Sequence, residues 1–176
     1  ASSALTTNFV NVISHIQGKK LTPNEIAMKA YKIGHDILKW GIGKQDEYAA
    51  SFGGLNLYKF TKNKVTVKPI NLKKSTLNEL QKYSLLFHLG SREHSKGILQ
   101  SQIKAINQSN KITVSSLHKA KELALEMYDA LKENDLMKFS DILNKGWEAK
   151  RNYTKGVTNS RIEMVSKKAI ENGAMA

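Results

Sequence analysis

The chain contains no cysteine, only two prolines, few aromatic residues and no long apolar run. A chain without cysteine holds no disulfide, and a reducing cytoplasm is compatible with it. No apolar run approaches the roughly 18 residues of a transmembrane helix, and the N-terminus lacks the basic stretch and apolar core of a signal peptide. Hydrophobic residues make up 40% and charged residues 24%. We therefore expect a globular, cytoplasmic protein with no membrane partner.

Acidic residues are scarce as well, since 15 Asp+Glu stand against 28 Lys+Arg and give a formal net charge of +13. Nucleic acid, an acidic membrane surface and phosphorylated metabolites would all gain from this field. The plainer interpretation is a set of lysines spread over solvated faces. A nucleic-acid surface would interleave basic with aromatic side chains. Aromatics are only 7% of the chain and mostly lie on apolar stripes, which favours core packing and disfavours nucleic acid: Tyr31, Phe87, Phe139 and Trp147.

Hydrophobic periodicity and turn residues predict an α+β protein. Helices are predicted over residues 3–17, 23–39 and 45–52, a β-hairpin over 55–61 and 64–70, a helix ending at 83, a short strand over 85–89, and helices over 92–108, 115–133, 135–150 and 158–172. A capping box starts the second helix at Thr22, and its buried stripe is predicted to be Ile26, Ala30, Ile33 and Ile37. The clearest boundary lies near residues 69–74, which divides the chain into domains at 1–72 and 73–176.

Ser2 and Ser3 stand at the start of the first predicted helix. The free N–H groups and the positive dipole end of a helix attract phosphate, so a hydroxyl-rich helix start is a natural phosphate site. Serine at this position is, however, more often only a helix cap. These two residues alone leave both interpretations open.

A second segment, residues 41–54, places Asp46 at the mouth of a short helix between two glycine pairs. Phosphoryl transfer to a hydroxyl needs a carboxylate that orients or deprotonates the attacking group. Lys44 beside the helix start would keep this carboxylate ionised. Taken alone, Asp46 is also compatible with a helix cap and Lys44 with a solvated charge.

Several segments of the chain resemble the GHMP kinase family, and most closely its heptose 7-phosphate kinases. They follow one another in the same order as in those kinases. The resemblance covers nearly all 176 residues and rests on residues 1–5, which are similar to the second half of the family's phosphate loop, on residues 43–54, on Gly90-Ser91-Arg92, on residues 147–151 and on residues 171–174. It implies the GHMP kinase fold of two α/β sandwich halves, with part of a ribosomal-protein-like, ATP-binding N-terminal domain in 1–72 and most of a ferredoxin-like C-terminal domain in 73–176.

The resemblance also implies roles for individual residues. Asp46 would be the catalytic carboxylate, Ser2 and Ser3 would contact the phosphates of ATP, and Ser3 would bind Mg²⁺. A further set would line the sugar site: Lys44, Gln45, Tyr48, Gly53 and Gly54. Arg92 would hold the phosphate of the sugar, since a guanidinium matches phosphate geometry, although a surface charge is an equal alternative.

Two departures from the family pattern limit these expectations. Family members usually carry a metal-binding Glu where this chain has Gly34, and Asp36 is the nearest carboxylate, two residues along and on another face of the helix. Either Asp36 substitutes for that Glu, or Mg²⁺ is held more by ATP and water. The glycine-rich stretch that would follow Ala174 in the family is also absent. We therefore expect these 176 residues alone to phosphorylate poorly.

The leading interpretation is a kinase that uses ATP and Mg²⁺ to place a phosphate on the anomeric hydroxyl of a heptose 7-phosphate, for surface polysaccharide precursors. A GHMP kinase with another sugar or a mevalonate-type substrate, a basic nucleic-acid-binding module and a non-catalytic family member remain alternatives. The sequence leaves the oligomeric state open, with a homodimer as one candidate.

Overall fold

The computed structural model of the chain describes residues 2–90, 95–154 and 156–176. Two compact units make up the chain, Ala1–Pro69 (unit 1) and Ile70–Ala176 (unit 2). The domain assignment made above, with its boundary after residue 72, stays a prediction. Within the described residues, no helix is long and apolar enough to cross a membrane.

Unit 1 contains three mutually packed α-helices followed by a β-hairpin: α1 is Ser2–Ile16, α2 is Pro23–Lys32, a π-helical segment is Ile33–Ile37, α3 is Gln45–Phe52, and the strands are β1, Asn56–Phe60, and β2, Val65–Pro69. Its helical core joins Val10 of α1 to Ile26 and Ala30 of α2. The hairpin is antiparallel, with Asn56 opposite Pro69 and Phe60 opposite Val65. The predicted helices and the hairpin are thus confirmed to within a few residues.

The capping box predicted at α2 is confirmed in full. The Glu25 N–H donates to Thr22 Oγ1 at 3.3 Å, and the Thr22 N–H donates to Glu25 Oε2 at 2.8 Å. Pro23 occupies the first helical turn, where its missing N–H costs nothing. These reciprocal bonds satisfy two backbone donors that a helix start otherwise leaves without partners.

Replacing Thr22 by alanine is expected to destabilise the protein by about 1 kcal/mol, because the Glu25 N–H loses its side-chain acceptor. Thr22→Ser keeps the hydroxyl and should stay close to the wild-type stability. Urea unfolding followed by circular dichroism measures both variants. Equal stability of Thr22→Ala and the wild type would show that the cap contributes nothing.

The end of α2 differs from the prediction. The α-helix stops at Lys32, and the Leu38 N–H donates to the Ile33 carbonyl at 2.9 Å, five residues back, as in a π-helix. The wider turn shifts later residues around the helix axis. Ile37, predicted to lie in the buried stripe, is 71% exposed, so this part of the prediction is wrong.

Unit 2 contains five described helices: α4 is Lys74–Tyr83, α5 is Ser95–Asn107, α6 is Lys111–Glu133, α7 is Leu136–Arg151 and α8 is Ser160–Glu171. Its core lies between α6 and α7 and consists of Leu123, Ala130, Ile142 and Ala149, with Met127 packed against it. Asn134 adopts a left-handed conformation that ends α6, and its Oδ1 accepts a bond of 2.8 Å from Thr76 Oγ1 of α4.

The short strand predicted over residues 85–89 is wrong, since the described backbone has no strand there. Leu85, Leu86 and Phe87 are 79%, 101% and 62% exposed. An apolar run forms a strand only where a neighbouring strand satisfies its backbone groups. Unit 2 supplies none among its described residues. Phe87 is therefore not a core residue of the kind expected from the aromatic pattern.

Candidate active site

The start of α1 contains Ser2 and Ser3, the two residues predicted to contact phosphate. They occupy the first positions of a 15-residue helix, where backbone N–H groups have no helical acceptor. Ser3 Oγ donates a hydrogen bond of 3.0 Å to Glu47 Oε1 of α3. This bond joins the two sequence motifs from which a site was predicted, although they lie 44 residues apart in the chain.

The start of α3 holds Asp46 in an exposed position of its first turn. The N-cap residue is Lys44, and no side chain caps the helix. A capping role for Asp46, the alternative left open above, therefore has no hydrogen bond to support it. An exposed carboxylate at this helix start can meet a substrate hydroxyl.

The two glycines that follow α3 turn the chain into β1. Gly53 and Gly54 have φ angles of 62° and 66°, in the left-handed region that residues with a Cβ rarely adopt. The Gly53 carbonyl accepts a bond of 2.7 Å from Asn56 Nδ2, which fixes the turn. The glycines are thus required by the backbone conformation. Their predicted contact with a sugar remains a prediction.

An aromatic cluster joins α3 to the hairpin. Tyr48 is 1% exposed, and its ring lies 5.8 Å from Phe52, 6.5 Å from Tyr58 and 5.5 Å from Phe60, measured between centroids. The Tyr48 hydroxyl donates to Asn24 Oδ1 of α2 at 2.7 Å. Burial raises the pKa of Tyr48, so the phenol stays protonated and donates at neutral pH. The cluster holds α3 in place and thereby positions Asp46.

A cavity of about 440 Å³ opens beside this cluster within unit 1. Its lining combines predicted site residues with residues of the hairpin turn: Asn24, Met28, Lys44, Tyr48, Lys62, Asn63, Lys64 and Val65. Lys44 Nζ lies 5.3 Å from the centre of the Tyr31 ring, a cation–π contact that restrains it. Three lysines on one cavity favour an anionic ligand such as a phosphorylated metabolite.

The structure brings together only some of the predicted residues. Lys44 and Tyr48 line the cavity, and Ser3 contacts α3, whereas Gln45 is exposed without an assigned contact and Arg92 lies outside the described residues. Asp36 is exposed and pairs with His35 Nδ1 at 2.8 Å. This hydrogen bond is the main cause that lowers the pKa of Asp36. The described residues contain no group of three or more ionisable ligands that could hold a metal.

Sequence reasoning did not identify Glu47, Lys62 and Lys64. No separate role was predicted for Glu47, which directly follows Asp46. Its side chain is nevertheless only 3% exposed. Glu47 lies one residue further along α3 than Asp46, so its side chain lies on a different, buried side of the helix. Helical periodicity could have indicated this difference. The two lysines looked like ordinary turn residues, and only the folded hairpin brings them to the cavity.

In sequence and fold the chain is similar to sugar kinases that act on heptose phosphates. It is 32% identical over 174 residues to the D-glycero-alpha-D-manno-heptose 7-phosphate kinase of Campylobacter jejuni, covering 98% of this chain and 51% of that protein. It is 24% identical to the L-fucokinase/L-fucose-1-P guanylyltransferase of Bacteroides fragilis over 93% of this chain and 18% of that protein. The chain thus spans about half the length of the first relative and less of the second. A comparison with protein-family models found no match.

Two crystal structures extend the likeness to the fold. A D-glycero-D-manno-heptose 1-phosphate kinase from Bacteroides thetaiotaomicron matches this chain with a TM-score of 0.68 and 28% sequence identity. The match covers 85% of this chain and 42% of that kinase chain. A putative sugar kinase from Campylobacter jejuni matches with a TM-score of 0.64 and 27% sequence identity. This match covers 98% of this chain and 48% of that kinase chain. The resemblance to heptose phosphate kinases and the α+β class are confirmed.

Proposed function

We propose that the protein containing this chain is a kinase that transfers the γ-phosphate of ATP to the anomeric hydroxyl of D-glycero-D-manno-heptose 7-phosphate, giving the 1,7-bisphosphate. The bond between Ser3 Oγ and Glu47 Oε1 is the observation that carries the proposal, because it joins a helix start suited to phosphate to the helix that presents Asp46. The similarity to heptose phosphate kinases supports the acceptor class. The product would supply nucleotide-heptose synthesis for surface polysaccharides.

In the proposed reaction Asp46 accepts the proton of the anomeric hydroxyl as its oxygen attacks the γ-phosphorus. A new O–P bond forms, the bond from the γ-phosphorus to the β,γ-bridging oxygen breaks, and the electron pair leaves with ADP. The free N–H groups at the start of α1 stabilise the charge on the phosphates. Mg²⁺, when bound, would neutralise phosphate charge, and the oxygen-rich pair Ser3 and Glu47 suits this hard cation.

Assays of the full-length protein with ATP and Mg²⁺ test this function. The acceptor panel contains heptose 7-phosphate, heptose 1-phosphate, unphosphorylated heptose, L-fucose and mevalonate, and ³¹P NMR locates the new phosphate. We expect the highest kcat/KM for heptose 7-phosphate and a new anomeric phosphate. Preference for another acceptor would refute the substrate, and no transfer to any acceptor would refute the kinase.

The lysines of the hairpin turn support a phosphorylated acceptor. We expect Lys62→Ala and Lys64→Ala each to raise the KM for heptose 7-phosphate about tenfold at low ionic strength, because a charge-assisted hydrogen bond contributes about 1.5 kcal/mol. Screening at about 0.15 M salt reduces the effect. The KM for unphosphorylated heptose should not change.

Lys19→Ala is the matched control for these variants, because Lys19 is an exposed lysine of unit 1 that does not line the cavity. Its kinetic constants should equal those of the wild type. An equal rise in KM for phosphorylated and unphosphorylated heptose would contradict phosphate recognition by Lys62 and Lys64.

A further inference from the structure

Glu47 is a buried carboxylate that the reaction described above does not use as a base. It is 3% exposed, and its Oε1 accepts the hydrogen bond from Ser3. Its Oε2 is buried and has no hydrogen-bond partner among the described residues. Ser51 Oγ lies one turn later on α3. It is also buried and has no hydrogen-bond partner among the described residues. Burying an unpaired carboxylate oxygen is costly, so a partner beyond the described residues is indicated.

A divalent cation is the ligand that best suits the hydroxyl and carboxylate oxygens of Ser3 and Glu47. Mg²⁺ prefers oxygen ligands and commonly takes one or two carboxylates, with water and substrate phosphates completing its shell. Ser3 Oγ and Glu47 supply a hydroxyl and a carboxylate at the helix start where phosphate is proposed to bind. Two groups of this kind suffice for a cation that arrives with a nucleotide, so a cluster of three ionisable side chains is not needed.

Position 34, where the resemblance places a metal-binding Glu, has no side chain in this protein. A Cβ at Gly34 would lie 2.6 Å from Cδ1 at the flexible end of the Ile42 side chain, which would have to shift. Asp36, the substitute predicted from the sequence, is exposed and paired with His35. Asp46 is exposed at the helix start and is assigned to the substrate hydroxyl. Glu47 is therefore the carboxylate best placed to take over the metal.

We propose that Glu47, together with the Ser3 hydroxyl, holds the divalent cation of the bound nucleotide and so replaces the carboxylate missing at Gly34. This assignment rests on the proposed kinase function. It differs from a purely structural role, in which Glu47 only anchors the start of α1. A structural anchor needs an acceptor at Oε1, which glutamine also provides, whereas a cation site needs the negative charge.

Isothermal titration of the full-length protein with the non-hydrolysable analogue AMPPNP, in Mg²⁺ and in EDTA, separates the two roles. The ratio of the affinities measures the coupling between metal and nucleotide. We expect Glu47→Gln to reduce this ratio at least about tenfold, the loss typical of altered metal sites, through weaker binding in Mg²⁺. Glu25→Gln, the same change at an exposed carboxylate of unit 1, should behave as the wild type.

Each result decides the assignment. An unchanged Mg²⁺ effect in Glu47→Gln, or its loss in Asp36→Asn instead, overturns the role of Glu47. If circular dichroism shows that Glu47→Gln does not fold, Ser3→Ala decides, because a full Mg²⁺ effect without the hydroxyl also overturns the site. Failure of the wild type to bind AMPPNP under either condition refutes the kinase proposal together with this one.

Discussion

Asp46→Asn is expected to lower kcat about a hundredfold or more, because a positioned general base contributes roughly 10² to 10⁴ to such a reaction. Asparagine keeps the size and polarity of the side chain but cannot accept the proton of the anomeric hydroxyl. Asp46 is exposed and caps no helix, so the loss should appear in turnover and not in stability. Steady-state kinetics with heptose 7-phosphate and ATP measure it.

Two controls accompany this variant. AMPPNP affinity in Mg²⁺ should remain that of the wild type, because Asp46 is assigned to the acceptor hydroxyl and not to the nucleotide. Glu25→Gln should retain full turnover, since Glu25 serves the cap of α2 and a glutamine preserves that cap. If Asp46→Asn keeps more than a tenth of the activity, Asp46 is not the catalytic base.

Elements with local sequence signals were predicted well. The capping box at Thr22, the glycines after α3 and the turn at Lys62-Asn63 act within a few residues, so the sequence contains their physical causes. The π-helical turn at Ile33–Ile37 has no comparable local signal. It shifts Ile37 out of the stripe that a regular helix predicts.

Tertiary contacts explain the errors and omissions. Residues 85–89 have the composition of a strand, but pairing depends on a partner elsewhere in the fold. On α1 the apolar residues Leu5, Phe9 and Ile16 are exposed, while the smaller or more polar face at Thr7, Val10 and Ser14 is buried. Periodicity predicted the helix correctly. It could not show which face the neighbouring helices cover.

The candidate site was predicted where its residues form a motif and missed where the fold assembles it. Asp46, Lys44 and Tyr48 lie within one short segment, so they were identified together. The contact of Ser3 with Glu47 spans 44 residues, and the lysines of the hairpin turn reach the cavity only through strand pairing. The resemblance to the kinase family linked the first two motifs, but it assigned no role to Glu47.

Tyr48→Ala is expected to destabilise unit 1 by about 3 to 5 kcal/mol, the cost of removing a large buried aromatic side chain. The ring is 1% exposed and contacts three other aromatic rings, so alanine would leave a cavity between α3 and the hairpin. Hydrogen exchange read by mass spectrometry should show the lost protection in peptides from residues 45–69. Tyr48 thus acts on the site mainly by holding α3 in place.

Tyr48→Phe is the matched control, because it keeps the ring and removes only the hydroxyl bond to Asn24. Asn24 is exposed and water can replace the lost donor, so we expect a cost of about 1 kcal/mol or less. The KM for the sugar should change little in this variant. Equal destabilisation by Phe and Ala would contradict the packing role, whereas a large rise in KM with Phe alone would assign the hydroxyl to substrate binding.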